Sequence, residues 1–187
     1  MRKKFCFLVG RFQPFHKGHL ASIEAASKLY KKVGIGIFHP SFGKPNRKKI
    51  FMPHAFEPAQ NPFPFALVKE MISESLRAAK IKNFVIFKFY PTGVYSTEKF
   101  KRNLPFPLES ADFFISGKDI DTKIISRIKE IGGTYRAHKV FYGKNFMSGT
   151  EIRKDSFAGK NNWKKAVPPA TRKILEKFLR NPINGKL

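Results

Sequence analysis

The sequence contains very little cysteine, tryptophan or acid. Cys6 is the only cysteine and Trp163 the only tryptophan among 187 residues. A single cysteine excludes an intrachain disulfide and a cysteine-based metal site, and its place in an apolar run predicts a buried thiol in a reducing compartment. That run stops at Arg11, which is too short for a secretory signal, and no other segment approaches a membrane span. We therefore expect a cytoplasmic protein with no membrane partner.

Acidic residues are far outnumbered by basic ones, with 13 Asp+Glu against 37 Lys+Arg and a formal net charge of +24. Residues 1–93 carry 17 basic and 4 acidic groups and residues 94–187 carry 20 and 9, so the halves stand at +13 and +11. Charge spread in this way suits small anions and nonspecific nucleic-acid binding equally well. Hydrophobic residues make up 42% of the chain, including 21 Phe, which excludes a disordered protein.

Apolar runs alternate with segments of helical periodicity along most of the chain. The predicted strands are 5–9, 33–38, 83–89, 113–115 and 134–141, and the predicted helices are 20–32, 68–79, 96–102 and 120–131. This alternation predicts an α/β fold, a Rossmann-like doubly wound parallel sheet with a small C-terminal helical extension. We expect one domain over 1–187, with its core in 1–144 and the helical part in 145–187. The proline-rich stretch 39–60 is predicted to be a long loop.

The first candidate site lies where the first strand meets the first helix, in the run Gly10-Arg11-Phe12-Gln13-Pro14-Phe15-His16-Lys17-Gly18-His19. Ligands of doubly wound sheets bind at the carboxyl ends of strands, and a helix start offers backbone N–H groups and a positive dipole end to a phosphate. Two histidines around a glycine can both face one polyphosphate, with the glycine allowing close approach. Neither apolar packing nor helix capping calls for two histidines here. The turn therefore predicts nucleotidyl transfer.

A second candidate site is the run Ser148-Gly149-Thr150-Glu151-Ile152-Arg153. Ser148 and Glu151, three residues apart, form the pattern of a capping box, which marks a helix start and requires no further role. A helix start with two hydroxyls and an arginine one turn later is also a phosphate cradle. Both interpretations fit the pattern, and the presence of the histidine turn favours the second.

These motifs carry a family resemblance. Gly10 to His19 resembles the first signature of the nicotinamide mononucleotide (NMN) adenylyltransferases of archaea and some bacterial fusion enzymes, which belong to the HxGH nucleotidyltransferase superfamily, and Ser148 to Arg153 resembles the second signature. Residues 61–63, 70–72, 116–117 and 167–170 resemble further blocks of that family. The resemblance implies transfer of AMP from ATP to the 5′-phosphate of NMN, giving NAD and pyrophosphate. It also implies nicotinate mononucleotide as an alternative acceptor, Mg²⁺ accompanying ATP, and a homo-oligomer.

The resemblance further implies residue roles. The implied catalytic residues are His16, His19 and Arg153. His19 is assigned to the α-phosphate of ATP and His16 to the outer phosphates. The ATP- and phosphate-binding positions are Gly10, Arg11, Phe12, Lys17, Gly18, Ser148, Gly149, Thr150 and Lys154. The acceptor-binding positions are Tyr95, Phe100 and Gly117. No residue is assigned to the metal, because the phosphates and water would hold it.

Several positions depart from the family pattern and concern the acceptor. They are Pro64, Phe65, Leu67 and Val68, together with Gly93 and Phe100, where the family has an Asp and a Trp around the nicotinamide. These departures leave open a related nucleotidyltransferase that acts on another phosphomonoester or uses CTP. A third alternative is a basic nucleic-acid-binding protein on this fold, whose affinity would fall steeply with salt. Nucleic-acid binding is not the expected function, since the catalytic-type residues are all present and the aromatic residues form no RNA-binding signature.

Overall fold

The computed structural model describes residues 3–38, 57–89, 97–116, 122–139 and 146–181. The strands are β1 (Phe5–Gly10), β2 (Lys32–Phe38), β3 (Phe84–Phe89), β4 (Ala111–Ser116) and β5 (Thr134–His138). The helices are α1 (Lys17–Leu29), α2 (Phe65–Ala78), α3 (Thr97–Arg102), α4 (Thr122–Glu130), α5 (Gly149–Phe157) and α6 (Pro169–Arg180). Short 3₁₀ turns cover Pro58–Gln60, Leu108–Ser110 and Asn162–Lys165.

The five strands form one sheet in the order β3-β2-β1-β4-β5, and every pair of neighbours is parallel. The chain runs outward from β1 to β3 and then resumes on the other side of β1, so the strand order reverses between β1 and β4. This is the doubly wound α/β arrangement that the sequence predicts. Ligands of such sheets bind in the crevice at that reversal, beyond the carboxyl ends of the strands.

Both faces of the sheet are covered, which explains why β1 is apolar without alternation. On one face Cys6 and Leu8 pack with helical residues that include Ile23, Met71 and Ile152. On the other face lies a second cluster rich in phenylalanine, with members Phe7, Phe100, Leu108, Ala111, Phe113, Ile128 and Ile131. Cys6 has no exposed surface, so the predicted burial of the thiol is confirmed, and Trp163 is 2% exposed in the same core cluster.

The C-terminal helices pack against the first face of the sheet. Trp163, Leu175 and Phe178 belong to the same core cluster as Cys6. The Lys17 backbone N–H donates to the Ala166 carbonyl at 3.0 Å, which ties the start of α1 to the segment before α6. The helical extension therefore supports the element that carries the histidines. Within the described ranges, no helix is both long and apolar enough to cross a membrane.

Element boundaries differ from the sequence predictions by a few residues. α1 begins at Lys17 rather than Leu20, because His16 caps it, and it ends at Leu29. β4 begins at Ala111, directly after the 3₁₀ turn, and β5 ends at His138. Most of the predicted loop, residues 39–56, lies outside the described residues, and its described end forms the Pro58–Gln60 turn.

Candidate active site

The two histidines cap α1 in a reciprocal way. His16 is the N-cap residue, with an extended backbone at φ −128°, and its Nδ1 accepts from the backbone N–H of His19 at 3.3 Å. The Nδ1 of His19 in turn accepts from the backbone N–H of His16 at 3.3 Å. This is the geometry of a capping box, built here from imidazoles instead of the usual hydroxyl and carboxylate. The expectation that capping has no use for both rings was wrong.

Capping also sets the tautomer of both rings. A nitrogen that accepts a hydrogen bond carries no proton, so a neutral ring with Nδ1 as acceptor keeps its proton on Nε2. Burial lowers the pKa of His16 to about 4. Burial, followed by the nearby charge of His16, lowers the pKa of His19 well below its ordinary value. Both side chains are therefore neutral Nε2–H donors at physiological pH.

Aromatic side chains around the histidines cause this desolvation. The two imidazoles stack with their centroids 3.6 Å apart, and Phe15 lies parallel to His19 at 5.7 Å. Phe12 meets His19 edge-on at 4.8 Å, and Phe146 meets His16 edge-on at 5.9 Å. The surrounding rings exclude water from the imidazoles. Loss of hydration destabilises the protonated, charged form of each imidazole more than its neutral form, and this lowers the pKa.

The low pKa of His16 predicts a pH-dependent stability. The pKa of His16 is about 4 in the folded protein and about 6.5 in the unfolded chain. At pH values between these two, the unfolded state binds more protons than the folded state. The free energy of unfolding should fall by about 2 kcal/mol from pH 7 to pH 5 through this group. His16→Asn keeps an N-cap side chain and removes the titration. Urea denaturation at both pH values should show a smaller loss in the variant, and an equal loss would contradict the assigned cause.

Gln13 connects the first turn to the segment before α2. Its side chain is buried, donating from Nε2 to the Phe63 carbonyl at 2.9 Å and accepting at Oε1 from the Phe63 N–H at 3.0 Å. Its backbone carbonyl accepts from Arg153 at 2.5 Å. Sequence reasoning assigned no role to Gln13. The sequence feature that could have indicated a role for Gln13 is its polar amide between Phe12 and Phe15 of the first motif.

The second motif begins α5 as a capping box, as the spacing predicts. The Ser148 N–H donates to the Glu151 carboxylate at 2.7 Å, and the Glu151 N–H donates to the Ser148 hydroxyl at 3.3 Å. These contacts lower the pKa of Glu151. A Cβ at Gly149 would lie 2.9 Å from the Gln13 carbonyl oxygen. Only glycine lets this helix start approach the histidine turn so closely.

Two arginines lie close together at the junction of the two motifs, where the start of α5 approaches the histidine turn. Arg153 is 5% exposed and donates to the Gln13 carbonyl, to Gln60 Oε1 at 2.6 Å and to Thr150 Oγ1 at 3.2 Å. Nη1 of Arg11 is buried and has no hydrogen-bond partner among the described residues. Burial lowers the pKa of both guanidinium groups, and the charge of Arg11 lowers that of Arg153 further. Two nearby cations, one with an unsatisfied donor, concentrate positive charge and hydrogen-bonding capacity at this place.

A family model described as cytidylyltransferase-like matches residues 7–155, which include both motifs. The chain belongs to the cytidylyltransferase-like family. Two relatives are nicotinamide-nucleotide adenylyltransferases from archaea. The Methanolobus tindarius protein is 27% identical over 92% of this chain and 87% of its own, and the Picrophilus torridus protein is 27% identical over 92% and 90%.

A solved structure is also similar to this chain. It is a bifunctional NMN adenylyltransferase/ADP ribose pyrophosphatase from Francisella tularensis, complexed with AMP and a manganese ion. It aligns with a TM-score of 0.66 and 27% identity over 96% of this chain and 50% of its own. The present chain thus spans about half the length of that protein. The resemblance to the NMN adenylyltransferases drawn from the two motifs is confirmed.

The fold of this family member brings most of the predicted site residues together. The first-turn positions lie at the carboxyl end of β1 and the start of α1, and hydrogen bonds from Arg153 join them to the start of α5. Lys17 and Lys154 are exposed. Phe12 is 4% exposed and packs in the first core. Tyr95 and Gly117 lie outside the described residues. Gln60, which contacts Arg153, was missed because no local pattern relates it to residue 153.

Phe100 is 1% exposed in the phenylalanine-rich cluster, with its ring edge-on to Phe89 at 5.5 Å. This position favours packing, so Phe100→Ala should cost about 3–5 kcal/mol of unfolding free energy. Phe100→Leu keeps most of the volume and removes the ring. If Phe100 also contacts the acceptor, the leucine variant will raise the acceptor KM without changing the ATP KM. An unchanged acceptor KM would confine Phe100 to packing.

Proposed function

We propose that this protein transfers AMP from ATP to the 5′-phosphate of NMN, forming NAD and pyrophosphate. The observation that carries the proposal is the junction of the two motifs. The turn that carries His16, His19 and Arg11 follows β1 at the sheet edge where doubly wound folds bind ligands, and the Arg153 guanidinium donates to the Gln13 carbonyl of that turn. Relatives with this activity cover most of the chain.

The reaction requires no nucleophile from the protein. A 5′-phosphate oxygen of NMN attacks the α-phosphorus of ATP in line, the bond from that phosphorus to the β-phosphate bridging oxygen breaks, and pyrophosphate leaves. Catalysis then depends on positioning and on stabilising the charge that develops on the phosphoryl oxygens. We assign His19 to the α-phosphate, His16 to the outer phosphates, and Arg11 and Arg153 to the triphosphate. Gly10, Gly18, Ser148 and Thr150 would offer backbone or hydroxyl groups, and Lys17 and Lys154 would add charge from the exposed rim.

Neutral histidines suit this assignment. A neutral Nε2–H donor strengthens its hydrogen bond as negative charge grows on a phosphoryl oxygen, and the ring stays in this neutral form around physiological pH. The arginines supply the fixed positive charge, so electrostatics and hydrogen bonding are divided between two pairs of residues.

The metal enters as part of the nucleotide. Among the described residues no group of three or more His, Cys, Asp or Glu side chains is placed to hold an ion. We propose MgATP as the substrate, with Mg²⁺ held by phosphate oxygens and water. We also propose that residues 1–187 act as one domain, in the cytoplasm and as a homo-oligomer. The core shared by the sheet and α6 supports the single domain.

A second candidate is a related transferase with a different acceptor or with CTP. Val68, at a position where this chain departs from the NMN adenylyltransferases, is fully buried in the first core, and the neighbouring Leu67 packs against it. Apolar packing at these positions removes polar groups that the acceptor side of the family carries, which favours a changed acceptor.

Pyrophosphate release from MgATP tests these proposals. NMN, nicotinate mononucleotide, other phosphomonoesters, CTP in place of ATP, and a reaction without acceptor are run in parallel. Release that requires NMN and forms NAD supports the proposed function. Turnover only with another acceptor, or only with CTP, makes the protein a related transferase. Silence in every arm contradicts transferase activity, and salt-dependent nucleic-acid binding then becomes the function to test.

A further inference from the structure

Among the residues that the structure describes, Arg153 is held by neutral acceptors. Its Nη1 donates to the Gln13 backbone carbonyl at 2.5 Å, and its Nη2 donates to Gln60 Oε1 at 2.6 Å and to Thr150 Oγ1 at 3.2 Å. In the described part of the chain no carboxylate forms an ion pair with Arg153 or with Arg11. A buried arginine commonly has an acidic partner, because burial penalises an unpaired charge. Arg11 and Arg153 therefore have no carboxylate partner among the described residues.

Gln60 is the one side-chain amide among these acceptors, and hydrogen bonds fix its backbone in a tight turn. It ends the Pro58–Gln60 turn, where its own N–H donates to the Glu57 carbonyl at 3.0 Å. The next residue, Asn61, donates from its backbone to the Pro58 carbonyl at 2.8 Å and from its side chain to the Glu57 carbonyl at 3.0 Å. These bonds fix the backbone of the turn from which the Gln60 side chain reaches Arg153.

We propose that Gln60 is a positioning residue, which holds the Arg153 guanidinium at the nucleotide site without neutralising its charge. A glutamate at this position has the same shape and would accept the same hydrogen bond. It would also cancel the guanidinium charge, and the junction would lose attraction for a triphosphate. This inference rests on the proposed function, since it assumes that the anion at the junction belongs to a nucleoside triphosphate.

Two variants separate the hydrogen bond from the charge. Gln60→Glu keeps the acceptor and adds a negative charge, whereas Gln60→Leu removes the acceptor and stays neutral. Asn161→Asp is the matched control, because Asn161 is an exposed amide beyond the C-terminal end of α5. It changes the net charge of the protein by the same amount without touching Arg153.

The measurements are calorimetric binding of the Mg²⁺ complex of α,β-methylene ATP at low and high salt, steady-state kinetics with NMN, and thermal unfolding. Gln60→Glu should weaken analogue binding about tenfold at low salt and less at high salt. Its Tm should equal or exceed that of the wild type, and kcat at saturating ATP should stay within about threefold. Gln60→Leu should lower Tm and raise the ATP KM, and Asn161→Asp should match the wild type.

A Gln60→Glu protein that folds and binds the analogue as tightly as the wild type overturns the inference. If that variant does not fold, Gln60→Leu decides: a raised ATP KM with unchanged acceptor KM supports the positioning role, and an unchanged ATP KM rejects it. Failure of the proposed function has a different signature, because a wild type that binds the analogue but releases no pyrophosphate with NMN leaves the comparison of Gln60 variants intact. A wild type that does not bind the analogue rejects both.

Discussion

Replacing His19 by Asn is expected to lower kcat by about a thousandfold while leaving the protein folded. The Asn side chain can still accept from the His16 N–H, so the start of α1 keeps its cap. It has no donor at the place of Nε2, and the α-phosphate loses the hydrogen bond that strengthens as the transition state forms. Because this contact acts mainly in the transition state, the KM values should change far less than kcat.

A complementary variant identifies which nitrogen matters. His19→Gln carries an amide that is one methylene longer, so its N–H can reach the position of Nε2. We expect it to retain more kcat than His19→Asn at similar stability, since glutamine is also an ordinary capping-box residue at this position of the helix. The checks are steady-state kinetics with MgATP and NMN and thermal unfolding. A His19→Asn protein with kcat within about threefold of the wild type would refute the assigned role of the ring.

Replacing Arg153 by Met is expected to raise the ATP KM about a hundredfold, with a smaller effect on the acceptor KM. The arginine is 5% exposed and joins α5 to the Gln13 carbonyl and to Gln60. Methionine keeps much of the apolar stem but leaves that carbonyl without its donor. We therefore also expect a loss of about 1–3 kcal/mol in unfolding free energy.

Arg77→Met is the control for this experiment. Arg77 lies near the end of α2, its side chain is 72% exposed, and it contacts only Glu74 in the ion pairs described. A surface pair of this kind contributes little, so KM and stability should stay close to the wild-type values. Equal increases in the KM for ATP and for the acceptor in Arg153→Met would indicate a general collapse of the site rather than loss of a triphosphate contact.

Features that depend on neighbours in the sequence could be predicted from the sequence. The Ser148–Glu151 capping box spans one helical turn, and its residue types alone indicate it. Parallel strands followed from apolar runs that alternate with helical periodicity, because a crossover helix is needed between parallel neighbours. The first turn could be placed at the carboxyl end of β1 for the same reason. The pattern did not show that His16 and His19 cap α1 themselves, since imidazoles rarely fill that role.

Contacts between distant parts of the chain were decided by the tertiary structure. Gln13 meets Phe63 across 50 residues, Gln60 meets Arg153 across 93, and Gln13 meets Arg153 across 140. No periodicity or local spacing encodes such pairs, because they depend on how packed helices bring two turns to one sheet edge. The burial of Phe100 was also decided by the tertiary structure, because counting positions from a motif does not show whether a side chain lines a pocket or packs in a core.

The sequence by itself determined the fold class, the two motifs and the residue types of the site. Residue type is enough for these because strand and helix patterns are local and the chemistry of imidazole and guanidinium is intrinsic. Only the tertiary structure decided that burial lowers the pKa of both histidines and that, among the described residues, Arg153 has no carboxylate partner. A pKa and a net charge depend on which groups surround a side chain and how much water they exclude, and those neighbours come together only when the chain packs.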